Sequence, residues 1–87
     1  MPKPQPREQQ AEQEGRNAAI GRRVMLDLGA PAGPYWVQVR PLWGNYYRVN
    51  VITGEDLASA RVADSFFLEA DGDGNIVAST PKITRQY

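Results

Sequence analysis

The chain of 87 residues contains neither cysteine nor histidine. Without cysteine it can form no disulfide and no thiolate metal site, so neither can reinforce a small core. Without histidine it lacks the commonest general base and the commonest zinc ligand. Serines stand at Ser59, Ser65 and Ser79, but no histidine can activate them as nucleophiles. We therefore predict a non-catalytic protein with no cofactor and no bound metal.

The chain also lacks a net charge, since ten Lys and Arg balance ten Asp and Glu. Proteins that bind duplex DNA usually carry an excess of basic residues, because neutralising phosphates supplies most of their non-specific affinity. No apolar run approaches the length of a membrane span. The first residues lack the hydrophobic segment of a signal peptide. We expect a cytoplasmic protein that does not bind membranes.

Two segments in the middle of the chain alternate with the period of two that is typical of β-strands. They span residues 35–42 and 46–52, and residues 43–45 interrupt them with a Gly-Asn turn. Aromatic and β-branched side chains favour strands, and glycine and asparagine tolerate the positive φ of tight turns. Pro41 has no N–H to donate to a ladder, so we place it at a strand end or at a sheet edge. The pattern predicts an antiparallel hairpin.

The two faces of this hairpin differ in chemistry. One face carries tyrosines and valines, which predict a core, and the other carries aromatic, amide and guanidinium groups. Aromatic residues and arginine are enriched at protein interfaces and on surfaces that stack bases. The same residues also suit an ordinary exposed face, because aromatic cross-strand pairs stabilise sheets. The candidate binding residues are Trp36, Gln38, Arg40, Tyr46, Arg48 and Asn50.

The N-terminal part divides into two segments. Residues 1–13 are rich in proline, glutamine and charge, which predicts a disordered tail. From residue 14 to 28, apolar side chains recur at the spacing of an amphipathic helix, and Gly29 with Pro31 predicts its end. The apolar side of this helix carries Ala18, Gly21, Val24, Met25 and Leu28, flanked by Ile20.

The C-terminal part predicts a second hairpin. We expect a loop over residues 54–60, in which 55–58 can form one helical turn, and then strands at 61–70 and 76–80 around an Asp-Gly-rich turn. The acidic residues of this turn have part of the spacing of an EF-hand, but Thr80 occupies the position that needs a bidentate carboxylate. After Pro81, we expect Ile83 and Tyr87 to pack onto the sheet or the tail to fray.

Asp64 is the polar residue in the first strand of this second hairpin. If the strand begins near residue 61, Asp64 shares a face with Val62, Phe66 and Leu68. A buried carboxylate needs a partner, and we then expect an arginine. If the strand begins later, Asp64 is exposed.

These elements together predict an α+β fold over residues 14–87, in a single small domain. One N-terminal amphipathic helix would pack on a four-stranded antiparallel sheet made of two hairpins, covering the face of Val37, Val39, Val49 and Val51. The open face suggests an interaction module that binds a protein partner or a second copy of itself as a homodimer.

A single-stranded nucleic acid is the alternative partner. Trp36 and Tyr46 would then stack on bases, while arginines would meet the phosphates. The arginines available for this role are Arg40, Arg48 and the pair Arg22-Arg23.

Overall fold

The computed structural model describes residues 7–87. Helix α1 (Arg7–Leu28) is followed by strands β1 (Tyr35–Pro41), β2 (Tyr46–Thr53), β3 (Arg61–Ala70) and β4 (Ile76–Thr80). The strands form one sheet in the order β1-β2-β3-β4, and every neighbouring pair is antiparallel. The helix packs on one face of this sheet, and the predicted α+β fold with two hairpins is confirmed. Over residues 7–87 no helix is long and apolar enough to cross a membrane.

Helix α1 begins at Arg7, well before the segment that the apolar pattern marks. Residues 7–13 of the predicted tail are therefore helical, and residues 1–6 lie outside the described part of the chain. Glutamine, glutamate, alanine and arginine are good helix formers, so a segment with little to bury can still extend a helix. Gln13 also ties this first part to the sheet, because its amide donates to the Tyr47 hydroxyl at 3.4 Å.

The core lies between α1 and the two central strands. Ile20, Val24 and Leu28 are fully buried on the helix side, whereas Ala18, predicted on the apolar side, is exposed. The buried stripe therefore centres on Ile20, and beside it the backbone of Gly21 lies close to Val37 and Val39 of β1. The buried sheet residues that meet it are Tyr47, Val49, Val51, Phe66, Leu68 and Ala70.

Strand β3 contains a bulge that reverses the face of its first residues. The register with β2 shifts between Val51 and Ile52, so that Val51 pairs with Asp64 but Ile52 pairs with Val62. An extra residue in one strand sends the following side chains to the opposite face. The prediction that Val62 shares a face with Phe66 is therefore wrong, and Val62 is 55% exposed on the side away from α1.

Asp64 lies on the helix side and is half-buried. Its partner is the hydroxyl of Tyr87, which donates to Asp64 Oδ2 at 3.0 Å, so the predicted arginine partner is wrong. This hydrogen bond, with the negative charge of Asp64, raises the pKa of Tyr87 above its ordinary value of 10.0. Ile83 packs on the core, so the C-terminal segment does return to the sheet.

The same C-terminal segment closes the end of α1. The last carbonyls of a helix have no partner within the helix, and here Leu28 O accepts from the amides of Gln86 at 2.8 Å and Tyr87 at 3.2 Å. Gly29 takes a positive φ of 88° and donates its amide to Met25 O at 2.8 Å. The helix therefore ends at the glycine that the sequence predicts, and two amides near the C-terminus of the chain donate to its last carbonyl.

The turn of the second hairpin is fixed by the carboxylate of Asp71. Its Oδ1 accepts from the amides of Asp73 and Asn75, both at 2.9 Å. The bond from the Asn75 amide is the main reason that the pKa of the Asp71 carboxyl lies below its usual value, and the bond from the Asp73 amide adds to the effect. The turn then docks on α1, because Arg23 donates to the Asn75 side chain at 2.7 Å and Arg16 donates to Gly72 O at 3.2 Å.

The segment 54–60 is a loop, as predicted, and the optional helical turn does not form. Asp56 and Ser59 close the loop on itself instead. The amide of Ser59 donates to Asp56 Oδ1 at 2.9 Å, and the amide of Asp56 donates to Ser59 Oγ at 3.2 Å. The bond from the Ser59 amide is the main reason that the pKa of Asp56 is lowered.

Replacing Gly74 by alanine should destabilise the protein by about 1–3 kcal/mol. Gly74 is buried with a positive φ of 83°, and a Cβ there would stand 2.8 Å from the Cβ of Ala19. Gly72→Ala is the matched control, because a Cβ at Gly72 meets nothing within 4 Å. Urea unfolding of both variants measures the difference, and equal stabilities would contradict the docking of this turn on α1.

The bond between Tyr87 and Asp64 predicts a pH dependence of stability. Because the folded pKa of Tyr87 is raised above 10.0, its contribution is fully present at lower pH and is lost as pH rises through the folded pKa. The difference in unfolding free energy between wild type and Tyr87→Phe should therefore stay constant from about pH 7 to about pH 9 and then shrink. Tyr35→Phe, on edge strand β1, serves as the control. A difference that grows above pH 10 would contradict this prediction.

Candidate interaction surface

The face of the sheet opposite α1 is called the open face. Side chains of directly paired residues share a face, and the pairs Trp36–Ile52, Gln38–Asn50 and Arg40–Arg48 alternate with the valine pairs of the core face. Tyr46 joins this face because it alternates with the buried Tyr47. All six predicted binding residues therefore share the open face. Five of them are exposed and Asn50 is half-buried: Trp36, Gln38, Arg40, Tyr46, Arg48 and Asn50.

An aromatic row crosses one end of the open face. Tyr46 and Phe67 are stacked with ring centroids 5.5 Å apart and planes 11° apart, and Trp43 lies 5.8 Å from Tyr46. The guanidinium carbon of Arg48 lies over the Phe67 ring, 5.9 Å from its centroid. Trp43 is 64% exposed. The aromatic row therefore consists of Trp43, Tyr46 and Phe67, with Arg48 placed for a cation–π contact.

Two members of the aromatic row are not among the six residues that the sequence predicts. Trp43 belongs to the turn between the first two strands, where no alternation defines a face. Phe67 lies between Phe66 and Leu68 in an apolar run, and residues adjacent in a strand point to opposite faces. The alternation of β3 was thus a signal that could have found Phe67. The position of Trp43 depends on the path of the turn, in which the Tyr46 amide donates to Trp43 O at 2.9 Å.

A polar row lies beside the aromatic row and is ordered by hydrogen bonds. Asn50 donates to the Gln38 side chain at 3.1 Å, and Ser65 donates to Asn50 Oδ1 at 2.7 Å. Arg48 reaches the hydroxyl of Ser65 at 3.4 Å. Since these side chains already hold one another, less side-chain freedom is left to lose when another molecule covers them.

Two arginines stand directly opposite each other on the open face. Arg40 of β1 pairs with Arg48 of β2, and like charges in this position destabilise a sheet. Glu69 lies on the same face, where it pairs with Tyr46, two residues along β2 from Arg48. The arginine pair makes this part of the face attractive to a carboxylate or a phosphate, either of which would offset the repulsion.

A second apolar group lies at the far end of the open face. Trp36, Ile52 and Val62 pair in register across three strands, and Trp36 is 40% exposed. The bulge in β3 creates this group, because it turns Val62 away from the core. The open face therefore has apolar groups at both ends and polar and basic side chains between them.

The open face offers no arrangement for metal binding or for a catalytic metal. Over residues 7–87, no three Cys, Asp or Glu side chains converge at a site that could hold a metal ion. The acidic turn, whose spacing resembles part of an EF-hand, uses the Asp71 carboxylate for bonds within the turn. The groups that the open face presents are aromatic rings, side-chain amides and guanidinium groups, which can make apolar contacts, hydrogen bonds and ion pairs.

Comparison of the chain with protein families, with characterised proteins and with solved structures finds no match. The open face itself is therefore the basis for assigning a function.

Proposed function

We propose that this chain is a non-catalytic interaction module that binds a protein partner through the open face. The observation that carries the proposal is the aromatic row with Arg48 over Phe67. Among residues 7–87 no helix covers this face, since α1 packs on the other one. Tryptophan, tyrosine and arginine are the residue types that dominate the energy of protein interfaces.

The order of groups on the open face indicates the chemistry of the partner. Apolar groups at both ends would contact apolar side chains, and the pair Arg40–Arg48 between them would receive a carboxylate. The polar row is held by its own hydrogen bonds, which lowers the entropic cost of covering it. The partner we propose therefore presents an acidic side chain flanked by aromatic or aliphatic ones.

A single-stranded nucleic acid is the second candidate, and the arginine pair is the observation that favours it. Phosphates would relieve the repulsion between Arg40 and Arg48 as carboxylates would. Base stacking, however, needs free ring surfaces, and Tyr46 and Phe67 already stack on each other. The protein partner therefore fits the open face better.

Selection from a display library of random peptides against the immobilised chain tests this function. We expect enrichment of peptides that combine Asp or Glu with aromatic or aliphatic residues. Titrating them into isotope-labelled protein should shift the amides of the open face. Trp43→Ala should weaken their binding by about tenfold or more, because exposed aromatic anchors carry most of an interface's energy.

Val77→Ala is the matched control, because Val77 is 62% exposed on β4 and is not paired with any residue of the open face. It should leave peptide binding unchanged. A parallel titration uses a mixed-sequence single-stranded DNA at low and at moderate salt. Binding of the DNA that weakens steeply with salt, without enrichment of any peptide on the open face, would replace the protein partner by the nucleic acid.

A further inference from the structure

The two edges of the sheet are built differently. Strand β4 has five residues, and its pairing with β3 shifts register between Glu69 and Ala70. Strand β1 has seven residues and pairs with β2 without any shift. Short and bulged edge strands resist pairing with another chain, whereas long regular ones invite it. The β1 edge is therefore the one suited to accept a further strand.

Hydrogen-bond positions show which backbone groups of β1 bond to β2 and which have no partner within residues 7–87. The Leu42 amide donates to Tyr46 O at 2.9 Å, and the Gly54 amide donates to Pro34 O at 3.3 Å. Because bonded positions alternate along an antiparallel pair, the even-numbered residues of β1 bond to β2. The backbone groups of the odd-numbered residues then point away from the sheet: Tyr35, Val37, Val39 and the carbonyl of Pro41.

The side of β1 that faces the helix is incompletely covered. Val37 and Val39 are half-buried, in contrast to the fully buried Val49 and Val51 with which they pair. An open groove of about 420 Å³ is lined on one side by β1 and on the other by α1. Its helix side is lined by Ala18, Gly21, Arg22 and Met25. A strand added beside β1 would bring apolar side chains to the mouth of this groove.

We propose that two copies of this chain pair through β1, antiparallel about a two-fold axis centred on Gln38. Both four-stranded sheets would then join in one continuous sheet. The axis stands perpendicular to the sheet, so both helices lie on one side and both open faces on the other. Each strand would use its free outward groups, making about six hydrogen bonds across the axis.

The sequence of β1 is complementary to itself in this register. Val37 meets Val39 of the partner subunit on the helix side. Trp36 meets Arg40 of the partner subunit on the open face, which allows a cation–π contact twice across the axis. Pro41 falls opposite Tyr35 of the partner subunit, so its missing N–H removes only one bond per copy. Registers centred on Val37 or Val39 pair fewer residues of the strand.

This self-complementarity is the reason to assign a second copy, and not an unrelated peptide, to the β1 edge. An isologous contact needs a surface that fits itself under a two-fold rotation, and both Trp36 and Arg40 find opposite partners in this way. The pairing also places Trp36 of the partner subunit beside Arg40, which faces Arg48 within its own sheet. The inference is independent of the proposed function, because it uses the sheet edge and requires no ligand on the open face.

Sedimentation equilibrium over a range of concentrations tests the pairing. Wild type should show a monomer–dimer equilibrium. Trp36→Arg should weaken dimerisation by about tenfold or more, because both Trp–Arg contacts become Arg–Arg contacts. The double variant W36R/R40W exchanges the two side chains and should restore the dimer, since every cross-axis pair is regenerated.

Tyr46→Arg is the control, because Tyr46 is exposed on the open face but belongs to β2. It should leave dimerisation unchanged. Self-association through the open face would instead be weakened by both single variants and not restored by W36R/R40W. That pattern, or a wild type that stays monomeric up to about 1 mM, would overturn the proposal.

Amide hydrogen exchange on the wild type gives a readout that needs no substitution. In the monomer, Trp36, Gln38 and Arg40 are protected by β2, whereas Tyr35, Val37 and Val39 exchange fast. Dimerisation should slow exchange at the odd-numbered residues as concentration rises. A concentration increase that leaves their exchange unchanged would also overturn the proposal.

Discussion

One geometric constraint shapes this protein: a single helix can cover only one face of a four-stranded sheet. Ile20, Val24 and Leu28 meet the two central strands and account for the helix side of the core. Burial of these side chains is the main driving force available to a chain without disulfides. As a consequence, the outer strand β1 is partly uncovered and the opposite face of the sheet stays in water.

The water-facing side is more specialised than a solvated face needs to be. A sheet face in water usually carries polar residues, whereas here the aromatic row, the arginine pair and the polar row follow one another along the strands. Arg48 connects all three, since it lies over Phe67, opposite Arg40 and within reach of Ser65. A change at Arg48 would therefore disturb the whole open face and not one contact.

The fold could be predicted from the sequence because alternation and helical spacing are local signals. The faces of β1 and β2 followed from the valine pattern, and β3 and β4 begin and end at the expected residues. The bulge in β3 was not visible, because the sequence 61–70 alternates plausibly in either register. The partner of Asp64 could not be found either, since Tyr87 approaches through a tertiary contact 23 residues away.

The candidate site, like the fold, could be predicted where it depends on local periodicity. Trp36, Gln38, Arg40 and their cross-strand neighbours depend on strand period alone, so their shared face followed directly. Trp43 depends on the path of a turn, which period does not determine. The apolar group at the far end depends on the bulge that turns Val62 outward. Sequence periodicity thus located the residues that β1 and β2 contribute to the open face, and the three-dimensional structure added Trp43, Phe67 and Val62.

The turn that carries Gly74 has a consequence for how the molecule opens. It rests on α1 near Ala19, while the C-terminal segment holds the end of the same helix at Leu28. The helix is therefore held at two points by chain that follows β3, although it precedes every strand in sequence. Partial unfolding that released α1 would also free the β3–β4 turn and the C-terminal segment from it, which couples the first and last parts of the chain in one opening event.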